Sequence, residues 1–261
     1  MAAFLLLVPL RMADEGLSAM DAVDAVLAHN LHGLEIDPRC VEIAVFALAL
    51  AAWRYPDEDG NPLGVRPDMP APRIACCGLK VASSANDWQA LVPANHPEAR
   101  ALRDGLRQLH DGFAQAPLLG SLLEPRNASG GDLLSVDFKA LHTLLAEALS
   151  RETPLQVSVA NSIDASSSDT WDTAWAAQGL CAAAELLDGQ YHLVATNVPY
   201  LGQIWQQEWL RNWCTQFYPE AKSDLSYVFL LRIFRFVRNG AHCAVLRPTL
   251  ISTSHPTLCE V

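Results

Sequence analysis

The sequence lacks any run of about 18 uncharged apolar residues, so no membrane-spanning helix is expected. Its apolar start, residues 1–8, has no basic front and no small-residue cleavage site, which argues against a signal peptide. The seven cysteines form no Cys-x-x-Cys pair and no cluster with histidine at metal-ligand spacing. We therefore expect free thiols in a reducing cytoplasm, no metal centre and no membrane partner.

Several familiar catalytic patterns are also missing. The sequence contains no Gly-x-x-x-x-Gly-Lys phosphate loop, no His-Glu-x-x-His and no Gly-x-Ser-x-Gly. These absences exclude the corresponding nucleotide-hydrolase, zinc-protease and serine-hydrolase signatures.

Positive charge is scarce over most of the chain. The formal net charge is −11, which argues against a nucleic-acid partner for the chain as a whole. Residues 1–196 hold 25 acidic and 12 basic residues, whereas residues 197–261 hold 4 acidic and 6 basic ones. The last quarter of the sequence therefore permits a polyanion nearby.

Helical and strand patterns alternate along the chain. The 261 residues are 51% hydrophobic, enough for one large core with an elaboration. Strands are expected at 31–36, 191–197 and 242–246, and 74–81 is either a strand or an irregular apolar segment. Helices are expected after a Ser18 capping box and at 39–53, 97–116, 138–150, 171–187, 205–217 and 224–237. The pattern predicts an α/β fold with a mostly parallel sheet and an inserted helical region over about 54–188.

The first candidate site follows the strand expected at 31–36. Glu35 ends that strand, and Asp37-Pro38 supplies an N-cap acid and a first-turn proline for the next helix. Dinucleotide-type folds place an acid here to accept the ribose hydroxyl hydrogens, and Ile36 would then lie against an adenine face. The alternative is an ordinary strand-end acid, with Asp37 acting only as the cap.

The second candidate site is the segment Asn197-Val198-Pro199-Tyr200, which follows the expected strand 191–197. An aromatic amine is a poor nucleophile because its lone pair is delocalised into the ring. The Asn197 side-chain oxygen and the Val198 carbonyl can each accept one N–H bond of such an amine, while Tyr200 stacks on a flipped-out base. The alternative is a strand-to-loop turn with a core tyrosine.

Three tryptophans, Trp205, Trp209 and Trp213, recur at helical spacing. They are expected to share one helix face, and core packing is favoured over base stacking.

Two blocks of sequence, taken together and in this order, resemble a known family. They are Asn30 to Trp53 and Thr196 to Pro248, and they contain the Glu35 and Asn197 sites. Both resemble the adenine-specific methylase domain of large restriction-modification and phage-defence enzymes, of the Eco57I type and of the BREX methyltransferases. The segment 118–123 also resembles a family segment, without an assigned contact. Val198 departs from the family's Asn-Pro-Pro-Tyr motif.

The resemblance implies a Rossmann-like methyltransferase fold that uses S-adenosyl-L-methionine to methylate adenine N6 in double-stranded DNA. Glu35, Ile36 and Asp37 would then bind the cofactor, and Asn197, Pro199 and Tyr200 would hold the flipped adenine. Lys222 and Arg247 would meet phosphate or remain solvated. Restriction or defence-system subunits are the partners implied.

Two departures from the family shape the remaining expectations. The family's first strand and its glycine-rich cofactor loop are missing, and residues 251–261 resemble nothing in the family. We therefore expect residues 1–250 to be part of a catalytic domain, followed by an unrelated tail and without a target-recognition domain. Such a piece is expected to bind cofactor poorly and not to methylate DNA by itself.

Two other functions stay open on the sequence. One is methyl transfer to an RNA base or a protein amide, since related motifs serve those amines. The other is a non-catalytic remnant that binds only DNA or a partner subunit.

Overall fold

The computed structural model describes residues 1–81, 83–125, 138–151 and 165–246. The chain divides into two compact units, Met1–Gly189 (unit 1) and Gln190–Val261 (unit 2). Arg247 and residues 251–261, both singled out in the sequence, lie outside the described residues.

Unit 1 contains helices and a short pair of strands. Its elements are α1 (Ala2–Glu15), α2 (Ala19–Ala25), β1 (His32–Glu35), α3 (Pro38–Trp53), β2 (Arg73–Cys76), α4 (Ala85–Ala90), α5 (Ala99–Gly112), α6 (Ala116–Leu119), α7 (Phe138–Arg151) and α8 (Ala165–Asp188). The range 54–188 therefore holds the strand β2 besides its helices.

The two strands of unit 1 run parallel, with Glu35 in register with Cys76. Helices α3 and α8 contact both strands. Parallel strands need a crossover connection and are normally covered by helices, and both conditions are met here. The predicted mixed α/β class with parallel strand pairing is confirmed. Of the segment 74–81, which the sequence left open between a strand and an irregular stretch, residues 74–76 belong to β2 and residues 77–81 lie beyond it.

Helix starts in unit 1 follow their caps. The Ser18 hydroxyl accepts a hydrogen bond from the Asp21 backbone N–H, and the Asp37 carboxylate accepts one from the Arg39 N–H. Each bond satisfies a backbone donor that the first helical turn leaves without an intrahelical partner. The predicted beginnings of α2 and α3 are therefore confirmed to within a residue.

Helices α1 to α3 and the π-helical turn Val26–Asn30 after α2 share a buried apolar cluster. Its members are Phe4, Val8, Ala22, Val23, Val26, Leu27, Leu48 and Ala52. Helices α5, α7 and α8 contact one another, and α4 contacts α5 and α8. In α5 the buried residues Leu102, Leu106 and Leu109 recur at helical spacing, so one stripe of this helix faces its neighbours.

Unit 2 is a smaller α/β arrangement. It contains β3 (Tyr191–Asn197), α9 (Glu208–Phe217), α10 (Leu225–Phe236) and β4 (Val237–Leu246). Strands β3 and β4 are parallel, with Asn197 in register with Leu246, and α10 contacts both. The strands expected at 191–197 and 242–246 are therefore both present, and the structure shows that they pair.

The structure differs from the sequence prediction at the start of β4. Strand β4 begins at Val237, directly after α10, and its register shifts between Tyr191 and Leu193. Gly240 adopts φ +77° within the shifted segment, a conformation that glycine tolerates without steric cost. The extra residues are therefore absorbed as a bulge rather than as a loop.

The helix expected at 205–217 begins later, at Glu208. Residues Gln203–Trp205 form a separate single-turn 3₁₀ helix, and Gln206 is extended (φ −73°, ψ 140°). No helix of the described residues has the length and apolar character required to cross a membrane.

Candidate functional site

The carboxyl end of β1 fixes one oxygen of Glu35. Glu35 Oε1 accepts hydrogen bonds from the backbone N–H of Ile36 (2.7 Å) and of Asp37 (3.1 Å). These bonds hold the carboxylate at the end of the strand in a defined orientation. Within the described part of the chain, Oε2 accepts no hydrogen bond, so it is available to a ligand hydroxyl.

Two glycines, Gly78 and Gly120, lie close to Ile36. A Cβ on Gly78 would overlap the carbonyl oxygen of Ile36, and a Cβ on Gly120 would lie 3.1 Å from Ile36 Cδ1. Gly120 also has a φ of +52°, a backbone conformation that residues with a Cβ rarely adopt. The Ile36 side chain remains 46% exposed, so an apolar face is presented at the strand end.

The contact with Gly120 shows where the segment 118–123, which had no assigned contact, lies in the fold. Residues 118–123 resemble a family segment, and the structure brings the turn Gly120–Leu122 to β1. The signal in the sequence was the glycine itself, but its partner lies 84 residues away along the chain. Sequence spacing alone cannot identify such a contact.

The adjacent cysteines Cys76 and Cys77, expected from the sequence only to be free thiols, contact the backbone at the same strand end. The Cys77 backbone N–H donates to the carbonyl of Glu35 (2.8 Å), and its thiol lies 3.4 Å from the same oxygen. Burial raises the pKa of the Cys77 thiol to about 12. This thiol is therefore protonated at neutral pH, and it serves packing rather than nucleophilic chemistry.

Asp37 is occupied by its own helix. Its Oδ1 accepts from the Arg39 backbone N–H (2.9 Å) and Nε (3.1 Å), and its Oδ2 accepts from Arg39 Nη2 (2.7 Å). The hydrogen bonds from Arg39 lower the pKa of Asp37 to about 2. Of the three residues predicted to bind a cofactor here, Glu35 and Ile36 keep their side chains available, while Asp37 acts as the N-cap.

The carboxyl end of β3 presents the second predicted group. Asn197 is the last residue of the strand, and Asn197, Pro199 and Tyr200 are all exposed. Val198 points the other way and is 2% exposed. The Tyr200 hydroxyl lies 3.5 Å from Asn197 Oδ1, so the amide and the aromatic ring share one face of the turn.

Hydrogen bonds to backbone carbonyls hold the residues that follow this turn. The Leu201 carbonyl accepts from the Leu225 N–H (3.0 Å) and from Gln206 Nε2 (3.0 Å). Arg211 donates from Nε to the Gln203 carbonyl (3.2 Å) and from Nη2 to the Gln206 carbonyl (3.0 Å). The conformation of residues 201–206 is therefore set by α9 and α10.

The tryptophans of this region correct the packing expectation. Trp205 is 75% exposed and Trp209 is 39% exposed, so core packing was the wrong interpretation for both. Trp213 does pack, with its ring centroid 5.2 Å from that of Phe217 and 5.6 Å from that of Tyr218. The helical spacing misled because Trp205 lies on the 3₁₀ turn before α9 and not on α9 itself.

The predicted residues thus fall into two sets, one in each unit. Glu35, Ile36 and Asp37 lie at the end of β1 in unit 1, whereas Asn197, Pro199 and Tyr200 follow β3 in unit 2. Lys222, for which the sequence left a phosphate contact and a solvated role open, is exposed in unit 2. Each set presents groups of different chemistry: a carboxylate with an apolar face, and an amide with an aromatic face.

Comparison with known proteins supports the resemblance drawn from the sequence. The chain is similar to a protein named adenine-specific methyltransferase PglX from Lacticaseibacillus casei (strain Zhang), with 26% identity over 233 residues. That alignment covers 89% of this chain and 17% of the relative, so the chain spans about a sixth of the relative's length. No family model matches the chain. The resemblance to adenine-specific methyltransferases is thereby confirmed as a distant relationship.

Proposed function

We propose that this chain carries catalytic residues of an S-adenosyl-L-methionine-dependent methyltransferase acting on adenine N6 in double-stranded DNA. The observation that carries the proposal is the turn after β3, where buried Val198 anchors the exposed residues Asn197, Pro199 and Tyr200. The distant similarity to an adenine-specific methyltransferase supports the same reaction.

The end of β1 fits the nucleoside part of the cofactor. Glu35 has one carboxylate oxygen held by backbone N–H groups, and its second oxygen can accept from the ribose hydroxyls. Ile36 offers a half-exposed apolar surface to the adenine ring, in the position that dinucleotide-type folds use. When bound, the cofactor supplies the methyl group as an electrophile.

The turn after β3 fits the acceptor. The Asn197 side-chain oxygen and the Val198 carbonyl would each accept one hydrogen of the adenine amino group, which favours a pyramidal nitrogen with its lone pair exposed. Tyr200 would stack on the flipped-out base, because an extrahelical purine needs an apolar face to replace its lost neighbours. No strong base is required, since the nitrogen can release its proton to water after transfer.

The rest of the proposal follows from this reaction. Residues 1–250 would contribute to a Rossmann-like catalytic domain, with 54–188 as its elaboration, in a restriction-modification or phage-defence system. Free cysteines at all six described positions fit a reducing, cytoplasmic setting in which the substrate is cellular or invading DNA. Subunits of the same defence system would be its protein partners.

The test measures the two binding events separately, because the proposed cofactor and acceptor residues lie in different units of the chain. Saturation-transfer NMR with S-adenosyl-L-methionine should show contact with the wild-type chain and a loss of signal in Glu35→Gln. Glu42→Gln, an exposed acid on α3, is the matched control and should behave as the wild type. An equal signal in all three proteins would contradict the cofactor site.

The acceptor is tested with a short labelled duplex in which one adenine faces an abasic site, so that the base leaves the stack at low cost. We expect preference for this duplex over the same duplex carrying thymine, and a loss of roughly tenfold in adenine affinity in Asn197→Ala. DNA binding that Asn197→Ala leaves unchanged would support the non-catalytic remnant. Tighter binding to RNA or to a glutamine peptide would point to those acceptors instead.

A further inference from the structure

We propose that the turn Gln203–Trp205 is a DNA-contacting surface, on which Ile204 and Trp205 pack against the bases beside a flipped-out adenine. This inference rests on the proposed function and extends it to two residues to which the family resemblance assigned no role. The juxtaposition behind it is a turn with two large apolar side chains in solvent, continuous with the Asn197 turn and bordered by exposed Lys222.

Ile204 and Trp205 are among the most exposed large apolar residues of the described chain. Ile204 is 79% exposed, and adjacent Trp205 is 75% exposed. Leaving a large apolar side chain in water forgoes the free energy that its burial would contribute. Single exposed apolar residues are common, but an adjacent pair on a defined turn indicates a contact surface.

The turn is built to hold this conformation. Arg211 binds the carbonyls of Gln203 and Gln206, which bracket Ile204 and Trp205 on both sides. The Gln203 N–H donates to the Ser223 carbonyl (2.9 Å), and Gln206 itself is buried. Because hydrogen bonds fix the backbone on each side of the pair, the exposure is a property of the fold rather than of a loose segment.

The position of the turn ties it to the proposed acceptor site. Only Leu201 and Gly202 separate Tyr200 from the 203–205 turn, and Gly202 forms a bridge with Asp224. The carbonyl of Leu201 is held by the Leu225 N–H and by Gln206 Nε2. A duplex that delivers an adenine to Asn197 would therefore meet this turn with the neighbouring bases.

Charge favours DNA over another copy of this chain as the occupant. Residues 190–246 hold five basic and three acidic residues, whereas residues 1–189 hold 12 basic and 25 acidic ones. Lys222 precedes Ser223, whose carbonyl holds the turn, and it pairs with no acid among the described residues. The Asp224 carboxylate accepts from Ser226 N (2.8 Å) at the start of α10. Aromatic side chains combined with excess positive charge are the usual means of holding exposed bases.

The test is fluorescence anisotropy with the short duplex carrying an adenine opposite an abasic site. Trp205→Ala should weaken binding roughly tenfold, because one base–aromatic stacking contact is lost. Trp205→Phe keeps a ring and should restore most of the affinity. Trp175→Ala, which removes a tryptophan that is 51% exposed on α8 of unit 1, is the matched control and should bind as the wild type.

Failure of this inference can be told apart from failure of the proposed function. The Trp205 effect should be the same whether the unpaired base is adenine or thymine, whereas the Asn197 effect should require adenine. An adenine preference with no Trp205 effect would overturn the inference and leave the proposed function standing. A Trp205 effect without adenine preference would do the reverse.

Two further outcomes would also overturn the inference. If Trp175→Ala weakens binding as much as Trp205→Ala does, the turn is not a specific contact. If Trp205→Ala instead converts a dimer to a monomer in size-exclusion chromatography, with DNA binding unchanged, the turn is a contact between copies of the chain.

Discussion

The ends of β1 and β3 place polar side chains at comparable points of two parallel strand pairs, yet they are constructed differently. At the end of β1 the backbone is enclosed: Gly78 and Gly120 approach Ile36, and Cys77 binds the Glu35 carbonyl. At the end of β3 the side chains face outward, and Val198 alone is buried among the four motif residues.

This difference matches the size of the proposed ligands. A nucleoside is small, so it can lie against a strand end where neighbouring backbone comes close. A DNA duplex is large and brings its base to the protein, so its contact residues must project from a supported surface. The chain therefore has glycines, which lack a side chain, around the end of β1 and exposed side chains at the end of β3.

Thiol reactivity should give the largest contrast between the two regions. Cys77 is buried with its pKa raised to about 12, whereas Cys243 on β4 is exposed. At about pH 8 the smaller thiolate fraction alone should slow alkylation of Cys77 by roughly a thousandfold relative to an unperturbed cysteine. Peptide mass spectrometry after timed iodoacetamide treatment measures both rates, with urea-unfolded protein as the control. Equal rates in the folded chain would show that the β1 end is open.

Adding a methyl group to one glycine in each unit should change the free energy of unfolding by different amounts. In Gly78→Ala the new Cβ overlaps the Ile36 carbonyl oxygen, which is backbone and cannot move aside cheaply. The free energy of unfolding should fall by about 3 kcal/mol, the upper part of the usual range for overpacking. Gly202→Ala, whose Cβ would lie 3.9 Å from Asp224 Oδ2, is the matched change in unit 2 and should be close to neutral. Urea titration measures both, and similar losses would contradict the contrast.

Acid should produce the smallest effect, at the helix that follows β1. The folded pKa of Asp37 is about 2, below its ordinary value of 3.8. The stabilisation by its carboxylate is therefore complete above about pH 4 and is lost as the pH falls through about 2. Asp37→Asn keeps a cap acceptor without a charge, so its stability should be flatter over this range. Urea titrations of both proteins at several pH values provide the measurement, and parallel curves would count against the Asp37–Arg39 interaction.

Local chemistry was enough to predict much of this fold. The starts of α2 and α3 follow from Ser18 and from Asp37-Pro38, and the end of β3 follows from the polar residue that stops an apolar run. These signals involve neighbours in the chain, where propensity and hydrogen bonding act directly. The same signals placed Glu35 and Asn197 at the ends of strands.

Contacts between distant residues escaped the sequence. The sequence around Ile36 does not predict that Gly78 and Gly120 approach it, because these contacts form only when the chain folds. Trp205 was placed on a helix by its spacing, but the extended backbone at Gln206 separates it from α9. Helical spacing in a sequence does not reveal a single extended residue that separates two turns of helix.

Val198 has a consequence for how such sequences are recognised. Its side chain is 2% exposed, so the second position of the Asn-Val-Pro-Tyr motif is held by packing within unit 2 and not by a rigid ring. The third position keeps its proline. A search pattern that demands two prolines would therefore discard this chain, whereas one that accepts any well-fitting aliphatic residue at the second position would retain it.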